Sequence, residues 1–359
     1  MSASAAHGEK ASARKPRGTQ AARRAVRARE VLFGAGDLAP SLPVCDHYAG
    51  VEARMRKSLE LQREMGPVFD VTLDCEDGAP VGGEAEHAHL VAELIDSPAN
   101  LHDRVGARLH PVHHTAFGIE AATLVSRCGH RLAYLMLPKV NGVADVQRAC
   151  DEIDHHARVR GQPRRIALHA LIETHGALAE VAAIAAHPRI ESVSFGLMDF
   201  VAAHRGAIPQ TAMSAAGQFE HPLIVRAKLE IAAACHAHNK TPSHCVVTEF
   251  EQPELLEAAA HKAARSFGYT RMWSIHPDQI QPIIDAFAPS VAEVDQAVEI
   301  LLAAQAADWA PISHRGSGGA TLHDRASYRY FWHVLELALR TGQPLPATAR
   351  EALFGDATT

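Results

Sequence analysis

Charged side chains occur directly after several apolar segments of this chain, and their types suit the binding of a metal ion. Glu76 and Asp77 follow one such segment, and Arg108 lies at the end of the next. Glu173 and Asp199 follow two later segments. Carboxylates that converge on one site repel each other unless a cation lies among them. Because the ligands on offer are oxygens, the predicted cation is hard, Mg²⁺ or Mn²⁺.

Glu173 and Asp199 follow consecutive apolar segments, so on neighbouring parallel strands they would approach one ion from adjacent positions. Mg²⁺ typically takes one or two protein carboxylates and binds water and substrate oxygens at its other positions. A guanidinium pairs with a carboxylate through two hydrogen bonds, which suits Arg108 to hold a substrate carboxylate. The alternative is that each acid caps the following helix, as Asp77 and Asp199 could do. The combination at successive segment ends favours the metal site.

The elements that would position these residues follow a regular alternation from residue 31 onward. Short apolar segments, typical of strands, alternate with longer segments that carry helix-spaced apolar residues. Eight such units in about 250 residues predict a (β/α)8 TIM barrel, whose chemistry lies where strands end. A doubly wound open sheet is the alternative that spacing does not exclude. The predicted strands are Val31–Ala35, Val68–Leu73, Val105–Leu109, Leu132–Leu137, Ile166–Ile172, Ile190–Phe195, Ser243–Thr248 and Thr270–Ile275.

The pattern changes after the eighth predicted strand. Ser290 and Glu293 have the spacing of a capping box at the start of a helix. A glycine-rich stretch at residues 316–319 predicts a flexible connector to a second helix from about His323 to Arg340. We therefore expect a basic disordered tail at 1–29, a barrel at 30–288, and a C-terminal helical arm or lid at 289–359 that contacts a neighbouring subunit.

Composition and charge exclude several classes of protein. Residues 1–30 carry a net charge of +6 and the remaining chain −12, and an acidic body argues against a nucleic-acid surface. No apolar run approaches the roughly 18–20 residues that cross a bilayer. The six cysteines form no C-x-x-C pair, which argues against a disulfide framework or zinc ribbon. We expect reduced, mostly buried thiols in a cytoplasmic protein.

Two further signals are weaker. Residues 34–37 form a partial glycine-rich turn that lacks the third glycine of a dinucleotide fingerprint, so no such cofactor follows from it. His276 precedes Pro277 at the end of the eighth predicted strand. Its imidazole could act as a base, or it could hold the backbone in place.

The chain resembles the HpcH/HpaI aldolase and citrate lyase β-subunit superfamily, particularly its citrate-lyase-β-like and malyl-CoA-lyase-like branch. The matching stretches occur in the family's order and cover about residues 29–285. They are Leu32-Phe33 with Gly36-Asp37, Leu73-Asp74-Cys75-Glu76-Asp77, Arg108, Met136-Leu137-Pro138-Lys139-Val140, Leu171-Ile172-Glu173-Thr174, Phe195-Gly196 with Asp199, and Ile275-His276-Pro277 with Gln279-Ile280.

The resemblance implies a barrel that binds Mg²⁺ through Glu173 and Asp199, with Arg108 on the carboxylate of an α-keto acid or its aldol product. Glu76 and Asp77 would lie beside the metal and order its waters.

The resemblance also implies how the rest of the site is completed. Residues 196–198 (Gly196, Leu197 and Met198) would bind substrate, and Arg29 would bind the CoA cofactor. Asp324, in the segment 321–325, would complete the site of a neighbouring subunit, in a homotrimer or homohexamer.

Several positions depart from the family pattern. Residues 34–36 read Gly-Ala-Gly where Val-Pro-Gly is common, and His110 stands where strand three usually ends in asparagine. Met198 replaces an acid that often precedes the metal aspartate, and Arg271-Met272 replaces a Gly-Lys pair. The metal pair and Arg108 are kept, so these differences leave the acyl-carrier pocket, and with it the use of CoA, open.

We therefore expect a Mg²⁺-dependent carbon–carbon lyase that acts on a 3-hydroxy-carboxyl-acyl-CoA, such as a malyl-CoA-like or citryl-like substrate. The alternatives are a class II aldolase that uses a free 2-keto-3-hydroxy acid without CoA, a hydrolase or synthase of the CoA branch, and a subunit that works only within a larger lyase complex. The expected partners are small-molecule keto acids or acyl-CoA, with no nucleic acid and no membrane.

Overall fold

The computed structural model describes residues 28–34, 41–162, 164–316 and 319–355. Eight parallel strands pair in chain order and close into a barrel, because the first strand also pairs with the eighth. The strands are β1 Cys45–Ala49, β2 Phe69–Asp74, β3 Val105–Arg108, β4 Tyr134–Leu137, β5 Ala167–Ile172, β6 Ile190–Phe195, β7 Thr241–His244 and β8 Arg271–Ser274. The predicted (β/α)8 barrel is confirmed, and the doubly wound sheet is excluded.

Helices cover the outside of this barrel and continue beyond it. Those of the barrel are α2 Glu52–Met65, α3 Glu84–Asp96, α4 Phe117–Cys128, α5 Val143–Val159, α6 His175–Ala179, α7 Val181–Ala186, α8 Leu197–Ala202, α9 Pro222–Ala237, α10 Pro253–Ser266 and α11 Ile280–Phe287. The others are α1 Ala28–Phe33, α12 Val291–Ala306, α13 Arg325–Arg340 and α14 Ala347–Phe354, with the hairpin strands β9 Ile312–Gly316 and β10 Gly319–His323. Within the described ranges, no helix is long and apolar enough to cross a membrane.

The prediction of a first strand at residues 31–35 is wrong. Residues 28–33 form helix α1, whose Ala28 and Leu32 are one helical turn apart and are buried among C-terminal helices. The true β1 was hidden because it carries Asp46 and His47. These polar side chains are buried and paired: Asp46 Oδ2 is 3.1 Å from Arg271, and His47 Nδ1 is 2.9 Å from Ser274 Oγ. An apolar pattern therefore cannot find this strand.

The C-terminal unit is built differently from the prediction. Helices α1, α12, α13 and α14 share a second apolar cluster around Trp332 and Leu301. Ser290 caps α12 in the predicted capping box with Glu293. However, Gly316 and Gly319 lie in the antiparallel strands β9 and β10, where a flexible connector between two helices was expected.

The expected division of the chain changes accordingly. Because α1 packs with the C-terminal helices, the barrel begins at β1 and not at residue 30. Residues 1–27 of the predicted basic tail lie outside the described residues, as do Gly36 and Asp37 of the expected first-strand turn.

A buried charged group fills the lower part of the barrel interior. Arg271, Asp46 and Asp70 are fully buried, and the Arg271 guanidinium lies 2.6 Å from Asp70 Oδ2 and 3.1 Å from Asp46 Oδ2. Two residues further along the strands, Tyr48 and Trp273 belong to an apolar layer that separates this group from the barrel mouth. Removing Arg271 would leave Asp46 without its cationic partner in a low-dielectric interior, while Asp70 would keep its ion pair with Arg104.

We predict that Arg271→Met lowers the free energy of unfolding by about 3–5 kcal/mol, because Asp46 and Asp70 lose their shared partner. Urea unfolding followed by circular dichroism measures this. Arg226→Met is the matched control: the Arg226–Glu230 pair lies on the exposed face of α9, so its loss should cost less than about 1 kcal/mol. Equal losses in the two variants would contradict this account of the barrel interior.

Candidate active site

Loops after the strands enclose a cavity of about 320 Å³ at the C-terminal mouth of the barrel. Its lining brings together seven of the predicted site residues, Asp77, Arg108, Glu173, Gly196, Leu197, Met198 and Asp199. Because parallel strands all end at this face, residues far apart in sequence meet here. The structure therefore places the predicted acids and arginine in one concave site.

Arg108 is held by a residue that the sequence analysis did not select, Asp74 at the end of β2. The Arg108 Nε donates to Asp74 Oδ1 at 2.7 Å, and Nη2 donates to Oδ2 at 2.5 Å, so the pair is bidentate. Burial alone would lower the pKa of Arg108, but Asp74 raises it above its usual value. The guanidinium therefore stays charged and fixed in orientation.

The loop after β2 folds around the same carboxylate. Asp74 Oδ1 accepts the N–H of Glu76 at 2.9 Å, and Oδ2 accepts the N–H of Gly78 at 2.8 Å. A Cβ at Gly78 would lie 2.3 Å from Asp74 Oδ2, and a Cβ at Gly50 would lie 1.9 Å from the Gly78 carbonyl oxygen. Glycine is therefore required where these two loops pass each other at the mouth.

Lys139, directly after β4, links the acids of the mouth. Its ammonium donates to Glu76, donates to Asp77 Oδ2 at 2.8 Å, and lies 3.9 Å from Asp199 Oδ1. Burial alone would lower the pKa of Lys139, but the hydrogen bonds to Asp77 and Glu76 raise it. Lys139 belongs to one of the stretches that resemble the family but was not selected as a site residue. Glu173 was selected because it follows a predicted strand, and Lys139 also follows a predicted strand.

Glu173 is the most perturbed acid of the site. Burial and the nearby charge of Asp199 raise the pKa of its carboxyl to about 8, although the Lys139 N–H, which donates to Oε1 at 2.6 Å, lowers it. For Asp77, burial would raise the pKa, but the hydrogen bond from Lys139 dominates and lowers it. Two acids of one site are thus pushed in opposite directions, a pattern that marks functional sites.

Glu173 and Asp199 suit a hard divalent cation. A Cβ at Gly196 would lie 2.3 Å from Glu173 Oε2, so glycine leaves room beside this oxygen. Burial and the charge of Asp199 raise the pKa of Glu173, and a cation here would favour its ionised form. Among the described residues, no group of three or more His, Cys, Asp or Glu forms a complete metal site. Two carboxylates with remaining positions for water and substrate match Mg²⁺.

A wall of the cavity that contains two stacked aromatic rings was also missed by the sequence analysis. Tyr48 and Trp273 stack with ring centroids 4.3 Å apart, and they lie with Leu171 and Val246 in one apolar cluster that lines the cavity. Arg54, from the first turn of α2, reaches the same cavity. β1 contributes Tyr48, so the error in locating this strand also concealed its side chain.

The helix-capping alternative is wrong for both acids. Helix α3 begins at Glu84 with Gly83 as its N-cap, well after Asp77, and α8 has Gly196 as its N-cap with Asp199 inside the first turn. His276, in contrast, does hold the backbone: its side chain accepts the N–H of Asp278 and caps a short 3-10 helix.

Three predicted site residues do not line this cavity within one chain: Glu76 lines a neighbouring cavity, and Arg29 and Asp324 lie further away. Arg29 lies on α1, with its guanidinium 3.8 Å from Glu336. Asp324 caps α13, where its Oδ1 accepts the N–H groups of Ala326 and Ser327. Neither residue lines the cavity described above. All six cysteines are free and buried, as predicted.

A parallel barrel with acids, an arginine and a lysine at its C-terminal mouth has the architecture of a TIM-barrel enzyme. The model of the HpcH/HpaI aldolase/citrate lyase family matches residues 67–277. The structure is similar to the crystal structure of a citrate lyase from Burkholderia xenovorans LB400, with 50% identity and a TM-score of 0.79 over 92% of this chain and 100% of that one. The chain belongs to the HpcH/HpaI aldolase/citrate lyase family and is a carbon–carbon lyase.

More distant proteins are also similar to this chain. The L-malyl-CoA/beta-methylmalyl-CoA lyase of Cereibacter sphaeroides strain ATCC 17025 is 28% identical over 268 residues, which are 71% of this chain and 81% of that protein. The CitE protein of Mycobacterium tuberculosis, solved with magnesium, acetoacetate and coenzyme A, has the same fold at 20% identity. Its TM-score is 0.62 over 84% of this chain and 99% of that one.

We predict that the Glu173 carboxyl contributes a loss of stability to the metal-free protein as the pH rises from about 5 to about 8, and that Glu173→Gln removes this contribution. The folded chain keeps the Glu173 proton up to a pKa of about 8, whereas the unfolded chain loses it near 4.5. The unfolded state therefore binds fewer protons in this window, and the free energy of unfolding falls by at most about 1.4 kcal/mol per pH unit.

Urea unfolding in EDTA across this range measures the difference. Glu52→Gln, which changes an exposed acid paired with Arg56 on α2, should follow the wild-type profile. Parallel profiles for wild type and Glu173→Gln would contradict the raised pKa.

Proposed function

We propose that this protein is a Mg²⁺-dependent lyase that cleaves or forms a carbon–carbon bond in a 3-hydroxy-carboxyl-acyl-CoA, such as a malyl-CoA-like or citryl-like compound. The observation that carries the proposal is the position of Arg108, fixed by Asp74, in the same cavity as Glu173 and Asp199. Arg108 would bind a substrate carboxylate, and Glu173 and Asp199 would bind a divalent cation. The malyl-CoA lyase relatives support the substrate class.

The carboxylates of Glu173 and Asp199 would hold the cation. When bound, Mg²⁺ stabilises negative charge on the substrate's oxygen as the bond breaks or forms. Glu76 and Asp77 would order water beside it. Mn²⁺, which also prefers oxygen ligands, would be an alternative ion.

Arg108 would bind the carboxylate of the α-keto acid fragment through two hydrogen bonds. Asp74 already fixes the plane of its guanidinium, so little side-chain entropy is lost when substrate binds. Holding the carboxylate in one orientation keeps the reacting carbon atoms aligned. The backbone and side chains of residues 196–198 would complete the wall on this side.

In cleavage, the 3-hydroxyl group becomes the carbonyl of the α-keto acid and loses its proton. Asp77 lines the cavity and is ionised because Lys139 lowers its pKa, so it would accept this proton through water. The electron pair of the broken bond passes to the carbon beside the thioester, which then takes up a proton. The apolar wall around Tyr48 and Trp273 would keep bulk water from this carbon.

Asp324 of a second copy would exchange the proton with this carbon, in a homotrimer or homohexamer. Two features support a role between chains. Asp324 ends an exposed hairpin and does not line the cavity of its own chain. Arg29, on the helix that packs against the same C-terminal unit, would bind the CoA from that position.

We predict a new CoA adduct when the purified protein and Mg²⁺ are mixed with acetyl- or propionyl-CoA and glyoxylate, pyruvate or oxaloacetate. Mass spectrometry detects the adduct and identifies both fragments. EDTA should abolish its formation, because Glu173 and Asp199 need the cation to bind the keto acid. Glu173→Gln should fold but turn over at least about a hundredfold more slowly, whereas Glu52→Gln should retain wild-type turnover.

The other outcomes separate the alternatives. An EDTA-sensitive aldol product from free pyruvate or oxaloacetate and an aldehyde, without CoA, would replace this proposal by the class II aldolase. Release of free CoA alone would indicate a thioesterase. Absence of every product would indicate a subunit that works only in a larger lyase complex.

A further inference from the structure

Lys139 has an unusual backbone for a residue with a side chain. Its φ is +49°, in the left-handed region that glycine usually occupies. A lysine kept in this conformation at an enzyme mouth indicates that the surrounding contacts need both its backbone and its side chain. Both the backbone N–H and the side-chain ammonium of Lys139 make contacts with acids of the site.

The two ends of Lys139 contact different parts of the site. Its backbone N–H donates to Glu173 Oε1 at 2.6 Å, so the left-handed turn is what directs this group to the buried acid. Its ammonium contacts Glu76 and Asp77 and lies 3.9 Å from Asp199. One residue therefore contacts the acids of three loops.

The ammonium binds these acids from the side away from the barrel cavity. A second cavity, of about 360 Å³, lies beside the mouth and is lined by Glu76, Asp77 and Lys139. Asp77 lines both cavities, whereas Lys139 does not line the barrel cavity. Asp77 thus separates the two cavities and is held by Lys139 from the second one, while Glu76 pairs with Lys139 and lies 3.1 Å from the Arg108 guanidinium.

We propose that Lys139 is a positioning residue that holds Glu76 and Asp77 away from the metal, so that water and substrate keep the metal's open coordination positions. This inference rests on the proposed function, which assigns the metal to Glu173 and Asp199. A divalent ion attracts every carboxylate within reach, and flexible acids next to it become ligands. The Lys139 ammonium competes for these two acids and keeps them at the distance where they contact bound water.

The inference is tested with Mn²⁺ as the probe, on the full chain. Electron paramagnetic resonance measures Mn²⁺ binding, and water-proton relaxation measures how many exchanging waters the bound ion keeps. For Lys139→Met we expect Mn²⁺ to bind at least as tightly as to wild type, but with the relaxation enhancement lower by about a third or more, because Glu76 or Asp77 replaces water. In the condensation assay, kcat should fall by about tenfold or more.

Two variants control this measurement. Lys139→Arg keeps a cation at the same place and should restore most of the relaxation enhancement and of kcat. Lys57→Met removes an exposed lysine that pairs with Glu60 on α2 and should match wild type in every readout. Methionine has the same backbone restriction as lysine at φ +49°, so the comparison isolates the charge.

The outcomes distinguish this inference from the function on which it depends. Wild-type enhancement and affinity in Lys139→Met would overturn the role of Lys139 and leave the metal assignment intact. If Glu173→Gln binds Mn²⁺ as tightly as wild type, the metal assignment fails and the inference fails with it. Weaker Mn²⁺ binding to Lys139→Met with unchanged enhancement would also overturn the inference.

Discussion

Crowding of negative charge is the constraint on which the mouth of this barrel depends. A closed parallel barrel brings the ends of β2, β5 and β6 to one face, and each of these ends carries acids. Asp74 is balanced by Arg108, Asp77 by Lys139, and Glu76 by both cations. Glu173 is buried near Asp199, and burial together with the charge of Asp199 raises its pKa. A divalent cation here would favour the ionised form of Glu173.

The rest of the barrel keeps these groups rigid. The ion pairs of Arg271 with Asp46 and Asp70 join β1, β2 and β8 inside the barrel. The stacked rings of Tyr48 and Trp273 lie directly above and form one wall of the cavity. The interior thus contains three layers. The Arg271 ion pairs form the lowest, the apolar residues around Tyr48 and Trp273 form the middle, and the charged residues of the mouth form the uppermost. Side chains locked by packing from below can hold ligands in one geometry.

The sequence predicts the part of the site that local patterns determine. Strands β2 to β6 are apolar segments with sharp ends, so Glu76, Arg108, Glu173 and Asp199 could be located from them. β1 could not, because its polar residues are stabilised by partners on β8, far away in the chain. Helix α1 could not be predicted for the same reason. Its apolar residues pack on α13 and α14, and local periodicity does not reveal these distant contacts.

Contacts between distant loops account for the other omissions. The roles of Asp74 and Lys139 depend on which acid each meets after the barrel closes, and that is a property of the fold. The hairpin β9–β10 was predicted as a flexible connector because its glycines resemble a linker. Its strands become apparent only from their pairing, which a short glycine-rich segment does not predict.

The position of the metal is the central claim, and anomalous diffraction tests it most directly. Crystals would be soaked with Mn²⁺ and glyoxylate, and data collected at the manganese edge. The account predicts one anomalous peak about 2.1–2.2 Å from a carboxylate oxygen of both Glu173 and Asp199, with the glyoxylate carboxylate on Arg108. A peak bound by Glu76 and Asp77 instead, or no peak at the mouth, would contradict it.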